Sequence, residues 1–527
     1  MKNSNESEAS QSNYKTTLTI IGVALGIFMG ALESTIVGTA MPTVIATLGG
    51  IEIYSWVAVA YLLTSTVMTP IWGKMADLIG RRPAMFGGLL FFIIGSALSG
   101  AAHTMSQLIA FRALQGIGAG ALFPVGMTIV ADLSSLERRA KMIGIFSGMW
   151  GVASLFGPLV GGYLTEHLSW RWVFYINLPF GLLAAIFIWF AYTEIHERRT
   201  NIHLDYAGTI ILSLTMVLLL VLVERGSVLS VAIILAGIFA LFALTALFIF
   251  IESRSPEPLI PLSIFKHRMV TVTALHGLFA GMMLFGTMIY LPLFAQAVIG
   301  KTPTGAGQIL TPLILAWVVS SIIGAQLILR IGYRVVAVGG MFLMLAGGAL
   351  MAYVSAATTI SQLALAGIFL GLGGGMTLAT LMIGAQHSAP RRQLGVVTST
   401  VQFARSIGAA LGIGSMGAVL SWSLRNELSK ESGQLSSFAL QHSDVASLIR
   451  QSTRAVMTPE AAQFLQKALA ASLQKAFIFG FIAVGIATII SLLIPGGGAH
   501  DLAHSEHQPS DVNEELEELL SEIGTAH

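Results

Sequence analysis

The sequence predicts an all-α membrane protein with fourteen spanning helices, and three observations support this fold class. Of 527 residues, 55% are hydrophobic and only 10% are charged, whereas a soluble domain carries about a quarter charged residues. Apolar stretches of about 20 residues, the length that crosses a bilayer as a helix, recur along the chain. The 56 glycines agree with helices packed in lipid, in which glycine is frequent.

Short polar connections separate these apolar stretches. We place the spans at 17–39, 54–72, 84–102, 107–131, 142–163, 173–193, 206–223, 229–251, 270–298, 305–329, 335–355, 361–383, 396–420 and 474–495. The polar start of the chain lacks the short apolar core and small-residue cleavage site of a signal peptide, so we expect the first span to be retained. An even number of spans places both termini on one side.

Lysine and arginine are concentrated in alternate loops. The richer loops hold Lys74, Arg81, Arg82, Arg138, Arg139, Lys141, Arg198, Arg199, Arg254, Lys266, Arg268, Arg330, Arg334, Arg391 and Arg392. The opposite short loops hold only Arg171, Arg225 and Lys301. Because positively charged loops stay in the cytoplasm, the sequence predicts a multi-pass protein of the cytoplasmic membrane with both termini inside.

A weak internal repeat divides the chain into two halves. Gly116, Gly118 and Gly120 correspond to Gly371, Gly373 and Gly375 at an offset near 255 residues. Parallel repeats of this kind place a substrate site at their interface near the bilayer midplane. The predicted units are a cytoplasmic tail at 1–16, a six-helix half at 17–193, inserted spans 7 and 8 with linkers at 194–269, a six-helix half at 270–495 with a long external loop at 422–473, and an acidic cytoplasmic tail at 496–527.

Two polar segments carry further patterns. Thr458-Pro459-Glu460 predicts a helix start, with a capping hydroxyl, a proline in the first turn and an early acid. The tail after Pro495 has apolar residues at helical spacing and the histidines His500, His504 and His507. It is interpreted as a short amphipathic helix or, alternatively, as a regulatory or metal-binding tail.

Several classes of function are excluded by what the chain lacks. Without cysteine there is no disulfide, thiolate metal site or thiol catalysis, and a net charge of +2 gives no reason to expect a nucleic-acid partner. HExxH, GxxxxGK[ST] and GxSxG motifs are absent, so we expect no enzyme. The glycine run at 116–120 lies in an apolar helix with no preceding strand, which indicates close helix packing rather than a nucleotide site.

Glu33 is the only acidic residue well inside a predicted span. A carboxylate in hydrocarbon needs a partner or a water-filled cavity, or it takes up a proton. Arg112 lies at a similar depth, since both residues are roughly 10 Å from the outer ends of their spans at 1.5 Å per residue. Such a pair can couple transport to protons because its strength depends on the proton on Glu33. The alternative is a fixed ion pair that locks spans 1 and 4.

Four stretches resemble signatures of the major facilitator superfamily, specifically its fourteen-helix drug/proton antiporter branch. They are GKMADLIGRR at 73–82, RALQGIGAG at 112–120, GVASLFGPLVGG at 151–162 and WRWVFYINLP at 170–179. They are similar, in order, to the cytoplasmic-loop, fourth-helix and fifth-helix antiporter signatures and to a stretch frequent in the branch. The first-helix pattern LESTIVG at 32–38 departs from the usual form, which has Asp in place of Glu33 and Asn in place of Gly38.

The resemblance implies a role for the first of these stretches, and the residues of the fifth helix indicate another. In the first, Gly73, Asp77, Gly80 and Arg81, with Asp132 as a relay, would form a charge cluster that latches the halves in the outward-open state. The alternative is that the basic residues only anchor the topology. In the fifth helix, a bend at Pro158 beside close-packed glycines would form a rocking element. The fifth-helix positions are Gly151, Gly157, Pro158, Gly161 and Gly162.

The second half offers few titratable groups for a cavity, because no Asp or Glu lies between Glu257 and Glu427. His276 is interpreted as a packing residue or a proton group, and Arg405 as a structural brace or a cavity residue. Aromatic and amide side chains on inner spans suit varied amphipathic ligands. The candidate cavity residues are Tyr61, Gln115, Phe123, Trp150, His276, Tyr290, Gln296, Trp317, Gln402 and Arg405.

From these patterns and the resemblance, we expect a proton-coupled exporter of lipophilic or cationic drugs or other amphipathic compounds. Its partners would be small molecules, protons and the lipid bilayer, and it would work as a monomer on the proton gradient without a cofactor. The alternatives are an exporter of a specific metabolite or lipid with the same fold and a membrane receptor that transports nothing.

Overall fold

A computed structural model describes residues 2–49, 56–133, 136–194, 205–225, 229–301, 305, 308–390, 393–429 and 459–495. Within these ranges the chain is helical and forms no β-strand, which confirms the predicted fold class. Twelve of the described helices are long and apolar enough to cross a membrane. The count of fourteen crossings stays a prediction.

The first part of the chain forms a bundle of helices. They are α1 (Lys2–Leu48), α2 (Trp56–Ile79), α3 (Arg81–Gly100), α4 (Met105–Leu133), α5 (Leu136–His167), α6 (Trp172–Tyr175) and α7 (Asn177–Ala191). Residues 2–16, predicted as a separate tail, continue α1. Gly80 separates α2 from α3 with a φ of 100°, a conformation that glycine accepts without strain.

The remaining helices comprise an inserted pair and a second bundle. They are α8 (Tyr206–Arg225), α9 (Val231–Glu252), a 3₁₀ turn (Leu262–Lys266), α10 (Arg268–Ala297), α11 (Thr311–Ala352), α12 (Ile360–His387), α13 (Leu394–Ser429) and α14 (Pro459–Leu492). α11 contains the tenth and eleventh predicted spans, and Gly332 interrupts it with a φ of 77°. α14 begins at Pro459, where the capping pattern predicts a helix start.

Two predicted segments fall largely or wholly outside the described residues. α13 extends to Ser429 and α14 begins at Pro459, so that only the two ends of the predicted external loop are described. Residues 430–458 and the acidic tail at 496–527, with its three histidines, lie outside the described ranges.

Each bundle is organised around its glycine-rich helix. A Cβ at Gly118 would meet the backbone of Gly88 and Phe92 in α3, and α4 therefore packs closely on α3. In the second bundle, a Cβ at Gly373 would meet the backbone of Gly340 and Met344, which brings α12 equally close to α11. The corresponding glycines of the repeat thus perform corresponding packing, as expected for the glycine run.

The two bundles meet mainly along two helix pairs, α2 with α13 and α5 with α11, and α4 with α13 and α5 with α12 make smaller contacts. The inserted helices α8 and α9 pack on each other, and α8 also contacts α2 and α13. The most apolar stretch of α9 has no buried residue, as expected of a helix that faces lipid. The region between the bundles is therefore formed by α2, α4, α5, α10, α11, α12 and α13.

Candidate functional site

Glu33 is fully buried and both of its carboxylate oxygens are engaged. Its Oε1 forms an ion pair with Nη1 of Arg112, and its Oε2 accepts a hydrogen bond from Nδ2 of Asn177. Arg112, which is 2% exposed, also donates to Oε1 of Gln115 at 2.7 Å and to the carbonyl oxygen of Val57 at 3.3 Å. The structure thus brings Glu33 and Arg112 together as a desolvated, hydrogen-bonded pair.

The Glu33 pair belongs to a polar network that joins α1, α3, α4 and α7. The hydroxyl of Ser96 accepts from Nδ2 of Asn177 at 3.0 Å and from Nε2 of Gln115 at 3.2 Å, and it donates to the carbonyl oxygen of Phe174 at 2.8 Å. The guanidinium of Arg112 lies 4.1 Å from the centre of the Tyr61 ring, a cation–π contact. The network thus connects Glu33 to side chains of α3, α4 and α7, and Arg112 extends it to α2.

Asn177 is a member of this network that sequence reasoning did not identify. Asn177 falls within the WRWVFYINLP stretch, but the sequence pattern does not indicate a role for its side chain. Its signal in the sequence is that of a lone amide within an apolar segment, where a polar side chain needs a hydrogen-bond partner. That signal does not say which helix supplies the partner.

A second charged group, the Asp77 cluster, consists of Asp77, Arg81 and Asp132. Arg81 is fully buried, and it lies 3.2 Å from Asp77 (Nη2 to Oδ1) and 2.9 Å from Asp132 (Nε to Oδ2). The side chains of the two acids are 6% and 3% exposed. Because solvent is excluded, salt screens these pairs less than it would screen charges at a surface.

Asp77 also links the two bundles. Its carboxylate accepts hydrogen bonds from the backbone N–H groups of Gly395 at 3.1 Å and Val396 at 2.8 Å, in the first turn of α13. The first N–H groups of a helix have no partner within the helix, and a carboxylate there is favoured by the helix dipole. The first-turn N–H groups of α13 are thus capped from α2.

Glycines make the contact between α2 and α13 possible. A Cβ at Gly395 would lie 2.6 Å from Oδ1 of Asp77 and 2.6 Å from the carbonyl oxygen of Gly73, and a Cβ at Gly73 would collide with Ser399. Gly73 of the loop signature therefore allows the close approach of the bundles. Gly80 does not take part in this contact between the bundles. Its Cα faces the carboxylate of Glu194, and that carboxylate accepts a hydrogen bond from the backbone N–H of Arg82 at 2.9 Å.

An ion pair that the sequence did not predict lies beside the Asp77 cluster. Nζ of Lys74 in α2 is 2.8 Å from Oε2 of Glu257, in the segment that follows α9. The two side chains are 10% and 25% exposed. This contact ties the inserted helices to the junction between α2 and α13.

A cavity lies between the bundles, with about 820 Å³ of empty space, part of which is open to its surroundings. It is lined by Phe123, Met127, Phe146, Trp150, Gly151, Phe285, Met288, Ile314, Trp317, Val318, Leu378, Ala379, Met382 and Arg405. Phe123, Trp150, Trp317 and Arg405 are among the residues that the sequence placed in a cavity. Gln402 is adjacent, since its Oε1 accepts a hydrogen bond from Arg405.

The other five residues predicted for the cavity do not line it. Tyr61 and Gln115 belong to the Glu33 network. Nε2 of His276 lies 3.0 Å from Sδ of Met341, and the hydroxyl of Tyr290 donates to the carbonyl oxygen of Ile413 at 2.7 Å. Gln296 is also absent from the lining. Tyr61, Gln115, His276 and Tyr290 form contacts between helices, and the sequence alone does not show toward which neighbour each helix turns them.

The glycines of the fifth-helix signature pack α5 against two neighbours. A Cβ at Gly151 would collide with Val318 of α11, and a Cβ at Gly157 would collide with the hydroxyl of Thr35 in α1. Gly161 is buried and Gly162 is half-buried. α5 remains helical through Pro158 to His167, and the predicted bend and rocking role stay predictions.

Comparisons with known proteins agree with this architecture. The family model described as Major Facilitator Superfamily matches residues 23–413. The chain is 36% identical over 519 residues to the Multidrug transporter protein MdtP of Bacillus subtilis, covering 94% of this chain and 95% of that protein. It is 34% identical over 489 residues to Multidrug resistance protein 3 of the same organism, covering 91% and 95%.

Solved structures show the same fold at lower sequence identity. The human organic anion transporter MFSD10 (TETRAN) superposes with a TM-score of 0.56 at 15% identity, covering 90% of this chain and 99% of that one. At this identity the likeness shows the fold alone.

Proposed function

Since this chain belongs to the major facilitator superfamily, and is thus a multi-pass membrane transporter, we propose that it exports amphipathic compounds in exchange for protons. The exchange takes place across the cytoplasmic membrane, with both termini inside and the proton gradient as the energy source. One copy of the chain carries out the cycle. The names of the two Bacillus relatives favour export of varied compounds over export of a single metabolite.

The observation that carries the proposal is the buried contact of Glu33 with Arg112 and Asn177. When Glu33 is ionised, its charge compensates the buried guanidinium of Arg112. A proton on Glu33 removes that compensation, and an uncompensated buried charge costs about 3–5 kcal/mol. Proton uptake therefore favours a rearrangement of Arg112 and of the α1, α3, α4 and α7 contacts around it.

The Asp77 cluster is the second part of the mechanism. Its hydrogen bonds to Gly395 and Val396 hold α2 against α13, at the end of the bundles that the positive loops predict to be cytoplasmic. This arrangement closes the cavity on that side. Opening requires α13 to lose the cap, and two states separated by such a local contact can be interconverted by ligands that prefer one of them.

Transport in proteoliposomes tests the proposal. A panel of fluorescent amphipathic dyes is offered under an imposed pH gradient, and dye movement is followed together with internal pH. The proposal predicts dye accumulation that follows the sign of the pH gradient and stops when a protonophore is added. Accumulation that continues unchanged after the protonophore would rule out proton coupling.

A further inference from the structure

We propose that the cavity between the bundles selects amphipathic organic anions and that the guanidinium of Arg405 binds their anionic group. The inference rests on the proposed export function and names the substrate class of that same site. It departs from the expectation of cationic substrates that the sequence and the resemblance gave.

Among the described residues that line the cavity, Arg405 is the only one with a charged side chain. The other lining residues are aromatic, Met, aliphatic, Ala or Gly. No Asp or Glu lies in the sequence between Glu257 and Glu427, so α10, α11, α12 and most of α13 provide no carboxylate. Among the described residues, no acidic side chain forms an ion pair with Arg405.

Three carboxylates of the first bundle are engaged away from the cavity. Glu33 is held by Arg112 and Asn177, and Asp77 and Asp132 are held by Arg81. None of these three acids lines the cavity. The charge of the cavity wall is therefore positive, which attracts an anionic ligand and repels a cationic one.

The position of Arg405 is fixed by its neighbours. Its Nη2 donates to Oε1 of Gln402, and its guanidinium lies 5.2 Å from the centre of the Phe123 ring. A Cβ at Gly281 of α10 would lie 2.9 Å from the carbonyl oxygen of Arg405, so the glycine lets α10 support this part of α13 closely. Arg405 is a half-buried residue, and these contacts orient its guanidinium before a ligand arrives.

The guanidinium of Arg405 has more N–H donors than its hydrogen bond to Gln402 uses. It carries five N–H donors in a planar fork that matches the two oxygens of a carboxylate or the oxygens of a sulfonate. Gln402 takes part of this capacity, and the remainder is available at the cavity wall. An anionic oxygen bound there would also compensate a charge that is otherwise costly to hold in an apolar site.

The rest of the lining fits the apolar body of such a ligand. The cavity is lined by aromatic rings and by thioethers, which belong to Phe123, Trp150, Phe285 and Trp317 and to Met127, Met288 and Met382. Flat aromatic surfaces and adaptable Met side chains accommodate ligands of varied shape. The ligand class is therefore an aromatic or polycyclic compound that carries one carboxylate or sulfonate.

Two dyes with the same ring system test the role of Arg405. 1-Anilinonaphthalene-8-sulfonate carries a sulfonate, and N-phenyl-1-naphthylamine lacks it. Binding to purified protein in nanodiscs is followed by energy transfer from tryptophan, with protein-free nanodiscs as the blank. In Arg405→Gln, the Kd of the sulfonate is expected to rise about tenfold or more, equivalent to about 1.4 kcal/mol, while that of the neutral dye changes less than twofold.

Two further variants complete the test. Arg405→Lys keeps the charge but lacks the planar fork, so it should retain part of the sulfonate affinity that Arg405→Gln loses. Arg330→Gln removes an exposed arginine of α11 and should change neither dye. Equal weakening of both dyes in Arg405→Gln would show a structural brace, and no weakening of the sulfonate would show that Arg405 does not bind it. Either result overturns the proposal.

A competition measurement on the unmodified protein does not depend on how the variants fold. An aromatic carboxylate should displace the bound sulfonate dye at a concentration at least tenfold lower than its methyl ester, and the reverse order contradicts the proposal.

All of these binding measurements are made without a pH gradient. Anion binding without proton-driven export would therefore refute only the proposed function, and proton-driven export with binding insensitive to Arg405 would refute only the substrate class.

Discussion

Oδ2 of Asp77 accepts a hydrogen bond from the backbone N–H of Val396 at 2.8 Å, so a carboxylate in α2 caps a helix of the other bundle. The same carboxylate lies 3.2 Å from Arg81. One side chain therefore connects the buried charge of Arg81 with the start of α13.

Replacement of Asp77 by Asn should loosen the contact between α2 and α13. The amide can accept one N–H but loses the charge that Arg81 and the helix start favour. Because the chain has no cysteine, a single cysteine placed at the fully buried Ser399 reports access to this contact. We expect maleimide labelling to be several-fold faster in Asp77→Asn than in the Glu166→Gln control, which alters an exposed residue. Equal rates would show that Asp77 does not close this end.

Gly395→Ala should separate the same helices by steric means. The added methyl group would approach Oδ1 of Asp77 and the carbonyl oxygen of Gly73 to 2.6 Å, and overpacking of this kind costs about 1–3 kcal/mol. We expect a several-fold loss of transport rate and a lower Tm. The matched control is Gly339→Ala, since a Cβ there would meet no atom within 4 Å. Equal behaviour of the two variants would contradict the close contact.

The ion pair between Lys74 and Glu257 should stabilise the attachment of the inserted helices by a small amount. At 2.8 Å and with both side chains partly accessible, we expect a coupling energy of about 0.5–1 kcal/mol. A double-mutant cycle of Lys74→Gln and Glu257→Gln, read from denaturant unfolding, measures it. The charge-swapped pair Lys74→Glu with Glu257→Lys should recover part of the loss, and independent, additive effects would show that the two residues do not interact.

Asn177→Ala should weaken the Glu33 network without removing its charges. The change deletes the donor to Glu33 and to Ser96, and loss of a hydrogen bond to a charged group costs about 1.5–3 kcal/mol. We expect a lower Tm and reduced proton-coupled transport. Asn177→Asp keeps the shape but places a second carboxylate beside Glu33, and it should impair transport more than Asn177→Ala does. Unchanged transport in both variants would remove Asn177 from the coupling network.

The sequence predicts those features that follow from the cost of charge in hydrocarbon. Glu33 and Arg112 could be paired from their depth alone, because neither is stable in lipid without a partner. The link from Asp77 to Val396 could not be predicted, since it joins positions 319 residues apart and one partner is a backbone N–H. Composition carries no signal for such a contact.

The residues that line the cavity can also be predicted only in part from the sequence. Residue type selects Trp150, Trp317 and Arg405, which line the cavity, but it also selects Tyr290, whose hydroxyl donates to the backbone of α13. Helical periodicity defines the faces of a helix, but in a bundle that is apolar on nearly every side it does not identify the neighbour of each face.

The role proposed for Glu33 is to carry the proton that drives export. Its most direct test is the proton flux that accompanies dye export in proteoliposomes containing Glu33→Gln, compared with the unmodified protein and with Glu166→Gln. We expect proton flux to accompany dye movement in the unmodified protein and in Glu166→Gln, and neither proton flux nor gradient-driven export in Glu33→Gln. Proton-driven export that persists in a Glu33→Gln protein correctly inserted in the membrane would contradict it.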